Sequence, residues 1–154
     1  MELIDELINA AQTFYDDARA NENGRSRSWE HCYRAFRDAR TDPCPDYDYL
    51  SLHLAFYLAS WGMYRGSSFL LQKDYKVHMP IVEEILKPEY GCLFGLACAD
   101  LRKSEVQEML ETVKNYIVDH FHPIRKEIAG REVTTPVSPV LITKILMGTL
   151  GCVP

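Results

Sequence analysis

The chain is 154 residues long, with 47% apolar and 25% charged side chains, which is the make-up of one globular domain of ordinary composition. Its net charge of -5 excludes a surface given over wholly to nucleic acid, whose phosphates are held by clustered Lys and Arg. No run approaches the roughly 18 apolar residues of a membrane span.

Leu3, Ile4, Leu7, Ile8, Ala11, Phe14, Tyr15 and Ala18 recur at the spacing of one helical face, so residues 2 to about 20 read as an amphipathic helix. Residues 1–18 carry five acids and no base, while 19–40 hold six arginines, which predicts an acidic first helix lying against a basic second one. Asn21 to Gly24 stop the first helix. Ser28 is the expected N-cap of the second, in which Trp29, Cys32, Tyr33 and Phe36 share a face and Glu30 and Arg34 brace the outside.

Thr41-Asp42-Pro43-Cys44-Pro45-Asp46 breaks the chain, because each proline removes a donor and disfavours helical geometry before it. From 47 to 64 the sequence is apolar nearly all round, which predicts a central, fully buried helix. Residues 67–87 read as a further helix kinked or split at Pro80 and closed by Lys87-Pro88-Glu89-Tyr90-Gly91. The apolar piece from Cys92 to Ala99 fits either a helical turn or a strand. Ser104-Glu105-Val106-Gln107 has the pattern of a capping box, opening a helix over 104–122. Its stripe of Val106, Met109, Leu110, Val113, Ile117, Phe121 and Ile124 continues past Pro123 to Ile128, with Gly130 as the stop.

Residues 134–139 form a loop, and a last helical piece runs from about Pro139 to Met147. The end, from Leu146 to Pro154, is apolar and uncharged, so it docks into the core, forms a subunit interface, or belongs to a chain that continues. With no sustained period-two alternation, the expected fold is an all-α, single-domain bundle of about six or seven helices over 1–154.

The run from Leu58 through Ser60-Trp61-Gly62-Met63-Tyr64-Arg65-Gly66-Ser67-Ser68-Phe69-Leu70-Leu71-Gln72-Lys73-Asp74-Tyr75-Lys76-Val77 to His78 resembles a segment of a bacterial family of uncharacterised proteins. The closing Thr143 to Pro154 is similar to a later segment of that family, in which the chain runs on. The resemblance implies a bacterial origin and a continuing chain. It brings no activity with it.

The break at 61–68 is the expected site. With one helix ending near Arg65 and another starting at Ser67, the Ser67 and Ser68 hydroxyls and free N–H groups would face one spot, and Arg65 would add a planar donor fork for phosphate or carboxylate. Gly66 gives the loop its freedom, Trp61 and Tyr64 join Tyr57 as an aromatic lining, and Lys73 contributes only if its helix folds back. The competing account has Gly62 and Gly66 inside one uninterrupted helix, where they let a neighbour approach. No GxxxxGK[ST] motif supports a nucleoside triphosphate.

Metal and cofactor sites lack a pattern. The cysteines Cys32, Cys44, Cys92, Cys98 and Cys152 form no Cys-x-x-Cys pair, and no HExxH occurs. In Asp119-His120-Phe121-His122 the two imidazoles diverge by about 200° on a helix. His53 reads as a core imidazole rather than a base. Arg25 lies six residues before His31, a spacing loosely similar to the Arg–His pair of HEPN-type ribonucleases, though placed at the start of a helix. G-x-S-x-G is absent. With neither a leader nor paired thiols, the expected setting is the cytoplasm. The expected function is binding of a small anionic or phosphate-bearing ligand near Arg65, without a cofactor. An enzyme acting on a phosphate-containing substrate, and a structural module associating through its apolar C-terminus, are the alternatives.

Overall fold

A computed structural model describes residues 2–25, 27–97 and 99–151, and among the described residues there are helices and turns but no strand. Six α-helices carry the fold: α1 (Glu2–Ala20), α2 (Arg27–Ala39), α3 (Tyr47–Ser60), α4 (Met79–Ile85), α5 (Ser104–Ala129) and α6 (Pro139–Thr149). Four short 3-10 pieces connect them, at Phe69–Gln72, Tyr75–His78, Pro88–Leu93 and Asp100–Arg102. The all-α bundle expected from the periodicity is what forms.

α3 is the hub, packed by α2, α4, α6 and the Tyr75–His78 turn. The Asp46 carboxylate caps it by accepting the Tyr49 N–H at 3.0 Å, so the breaker before it doubles as its start. Leu50, Leu54, Tyr57 and Leu58 are buried, but Tyr49, Leu52 and Phe56 remain 53%, 49% and 59% exposed. The helix is therefore central without being fully buried. Its neighbours cover one side, and no element lies over the other.

α1 forms as its spacing predicts and then packs on nothing. Ile4, Leu7, Ile8, Phe14 and Tyr15 are all at least half exposed, and no described residue of α1 joins the core. Leu3 and Ala18, on the same stripe, fall outside the described side chains. The expected pairing of acidic α1 with basic α2 is not made, because the α2 arginines find nearer partners. Arg27 and Arg34 both bind Glu30, at 2.9 and 3.0 Å, and Arg37 binds Asp38 at 2.8 Å.

Local chemistry moves several expected boundaries. Ser28 is not an N-cap but lies within the first turn of α2, donating its hydroxyl to the Arg25 carbonyl at 2.7 Å. The helix expected over 67–87 is instead two 3-10 turns followed by the seven residues of α4. Asp74 interrupts it by capping Lys76 N–H at 3.0 Å, and Pro80 falls in the first turn of α4, where its missing donor costs nothing. The capping box at 104–107 does not form: Ser104 is already helical and Lys103 holds the cap position without a side-chain bond. Residues 92–99 add a 3-10 end and irregular chain rather than a strand, with Cys98 outside the described residues.

α5 runs through Pro123 to Ala129 and closes on Gly130 at φ +63°. Its stripe buries Val106, Leu110, Val113, Ile117 and Phe121. α6 starts at Pro139 and buries Leu141, Ile142, Ile145, Leu146 and Leu150 in its own chain's core. Of the alternatives expected for the apolar end, docking into its own core holds through Leu150, while residues 152–154, including Cys152, lie outside the described residues.

Candidate functional site

The site begins where α3 stops. Gly62 takes φ +78°, and the chain closes with Gly62 N–H on the Ala59 carbonyl at 3.0 Å and Met63 N–H on the Leu58 carbonyl at 2.8 Å. This is the paired-bond termination that needs a left-handed residue after the cap, so Gly62 and Gly66 do not lie in an uninterrupted helix. Lys144 of α6 donates its amine to the Trp61 carbonyl at 2.6 Å, placing a cation on the negative end of α3.

Beyond this end the chain loops through Arg65, Gly66, Ser67 and Ser68 and makes one wall of an open cleft of about 480 Å³. Arg125 and Ile128 of α5 and the 133–141 segment make the opposite wall. Arg65 curls back over Gly62, so that a Cβ there would lie 3.2 Å from its Nε. Arg125 spends two donors on Thr135, at 2.9 Å to the carbonyl and 2.9 Å to the hydroxyl, which fixes the loop that closes the cleft.

Beside the cleft, two cations flank Trp61, and Arg65 is near enough to act on one of them. The Arg25 guanidinium is 5.3 Å and the Lys144 amine 5.6 Å from its ring centroid. The Trp61 indole N–H is held on Ser28 Oγ at 3.2 Å, which keeps the ring in place. Burial, and then the positive charges of Arg65 and Arg25, hold the Lys144 amine below the usual lysine range. Among the described residues, none of Arg25, Arg65 and Lys144 is in a salt bridge with a carboxylate.

The expected site residues divide. Arg65, Ser67 and Ser68 line the cleft, Trp61 anchors its rim, and Gly66, at φ +59°, is exposed with open space around it. Ser68 is half spent, since its hydroxyl accepts the Leu70 N–H at 3.4 Å and its own N–H bonds the Arg65 carbonyl at 3.1 Å. The helix starting there is one 3-10 turn of four residues, so the expected helix terminus supplies little. Lys73 reaches Glu127 at 3.2 Å, and Tyr64 turns inward to bond His78 at 2.7 Å. Tyr57 is fully buried in the core and is not part of the cleft lining.

Sequence reading missed Arg125 and Lys144, and it paired Arg25 with His31 rather than with Trp61. Lys144 left a trace, being the one charged residue of α6. Arg125 left none, since its role depends on where the 133–141 segment returns.

The other candidates separate in space. Arg25 turns to Trp61, whereas His31 lines a groove between α2 and α3 with His53, so the Arg–His pair is not assembled. Burial, with His31 beside it, lowers the pKa of His53. His120 bonds the Val77 carbonyl at 2.7 Å, and His122 is exposed. Among the described residues, no group of three or more His, Cys, Asp or Glu side chains is placed to hold a metal ion, and no helix is long and apolar enough to cross a membrane. No protein-family model, curated protein or solved structure matches the chain.

Proposed function

We propose that the protein binds a small anionic ligand, phosphate-bearing or carboxylate-bearing, in the cleft beside Arg65. The carrying observation is the gathering of Arg25 and Lys144 about Trp61 with Arg65 near enough to act on Lys144, and among the described residues none of the three is in a salt bridge. An anion set there relieves the mutual repulsion and meets the Arg65 fork, with Ser67 and Arg125 further along the cleft.

Binding is favoured over catalysis by what the cleft lacks. Its described lining has no His, Asp, Glu or Cys, so the Ser67 and Ser68 hydroxyls have no base among the lining residues to activate them for attack. A larger hollow of about 580 Å³ on the first half of α5 carries Glu108 and Glu111 and is a poorer place for an anion. The thiols of Cys32, Cys44 and Cys92 are unpaired, which supports a reducing, cytoplasmic setting.

Titration calorimetry with inorganic phosphate tests the reading, with Trp61 fluorescence as a second signal. Arg65→Ala is expected to weaken binding roughly ten- to hundredfold, since a hydrogen bond to a charged group contributes about 1.5–3 kcal/mol. Arg65→Lys should recover only part, because lysine keeps the charge but not the fork. No heat from phosphate, sulfate or simple phosphate monoesters with the unmutated protein would sink the proposal.

A further inference from the structure

We propose that two copies of this chain associate by exchanging α1, the α1 of each lying along the exposed face of α3 in the other. The proposal goes beyond ligand binding and does not depend on it.

α1 supplies the arm. Its apolar face, Ile4, Leu7, Ile8, Phe14 and Tyr15, stands in water at 50–62% exposure over a helix of 19 residues, about 28 Å long. A lone surface leucine is unremarkable, but a whole helix face left open on a protruding element marks an interaction surface. α3 supplies the seat. Tyr49, Leu52 and Phe56 form a stripe at helical spacing, and from Tyr49 to Ser60 there is no charged residue, so covering it strands no ion.

The areas match. Eight side chains, each baring roughly half of the 200 Å² or so that a large apolar residue can bury, sum to about 800 Å² per copy. One side of a standard-size interface covers about that much.

Other occupants fit less well. A lipid surface suits basic amphipathic helices, whereas the charges of α1 are five acids against the single base Arg19. Pairing α1 with α1 leaves the α3 stripe in water and sets two acidic helices side by side. Folding back onto its own α3 is opposed by the way α1 leaves the body. Gly24 N–H bonds the Asn21 carbonyl and Arg27 N–H the Gly24 carbonyl, each at 3.0 Å, while Arg25 is anchored over Trp61. With that turn formed, the described apolar side chains of α1 stand exposed rather than in their own core.

Sedimentation of the full-length chain over a wide concentration range is the test. Twice the 17.7 kDa chain mass is expected, falling to the single mass for Leu7→Asp and for Phe56→Asp. Both positions are exposed, so helicity should be unchanged; if Phe56→Asp disturbs it, Leu52→Asp probes the same stripe. Mixing the Leu7 and Phe56 variants should restore part of the dimer, because one of the two exchanged contacts is then intact. The proposal is overturned by a single mass at every concentration, by Phe56→Asp leaving the dimer whole, or by a monomer whose α1 amides resist hydrogen exchange through docking on their own chain.

Discussion

Gly148 is the last but one residue of α6 and has no left-handed φ, so alanine there would ordinarily improve on glycine by up to roughly 0.5–1 kcal/mol. Here a Cβ would come 2.6 and 2.7 Å from the edge of the Tyr57 ring and 3.5 Å from Cys32 Sγ. Tyr57 is fully buried and cannot swing aside, so overpacking of about 1–3 kcal/mol outweighs the backbone gain. Gly148→Ala is therefore expected to lower the urea midpoint, and a more stable variant would contradict this packing account. His78 gives the second residue-scale prediction. Burial, with His120 as a lesser cause, lowers its pKa from 6.5 to about 3, while Tyr64 OH sits on Nε2 and Nδ1 has no partner. Between those two values the unfolded chain binds a proton that the folded chain refuses. Stability is unaffected above the window and falls as pH drops through it, by a few kcal/mol at the acid end. Urea unfolding from about pH 7 to about pH 4 should show this slope. It should flatten in His78→Gln, which keeps a polar group toward Tyr64 but does not titrate. Equal slopes in the two proteins would mean that His78 is already charged or already hydrated.

Elements that bury one continuous stripe were legible in the sequence, and elements made by a single side chain's choice of partner were not. α5 is plain from Val106 to Ile128 because its period survives Pro123, and α6 is plain from Pro139. The 67–87 stretch misleads because its apolar content is helical in spacing while Ser68 and Asp74 each cap a short turn, stopping the chain twice. α3 misleads in another way. Composition reports how apolar a helix is, but burial also needs neighbours, and the side carrying Tyr49, Leu52 and Phe56 has none. The candidate site shows the same division. Arg65 and Ser67 were readable because they sit in one local break. Arg25, Lys144 and Arg125 come to the cleft or beside it from three other places in the chain, and only the packing of α2 and α6 on α3, and of α5 on α6, brings them there.

At the scale of the whole molecule the chain divides into a bundle with its own core, from α2 to α6, and a helix that adds nothing to that core. Removing α1 therefore takes away no described side chain of the core, and the bundle over 21–151 should fold and melt as the dilute full-length protein does. Exchange of α1 makes a further prediction about concentration. When the folded state is a dimer and the unfolded state is not, each tenfold increase in protein adds about 1.4 kcal/mol per dimer. For chains of this size that raises the midpoint by about 2 °C. Calorimetric scans of the full-length chain should show this climb, and the chain lacking residues 2–20 should melt at one temperature throughout. The cleft beside Arg65 owes nothing to α1 itself, since Arg25 and everything lining it lie beyond that helix, so phosphate affinity should be the same in both proteins. A midpoint independent of concentration in the full-length chain would remove the dimer. A deletion that unfolds the bundle would show that α1 packs on its own core after all.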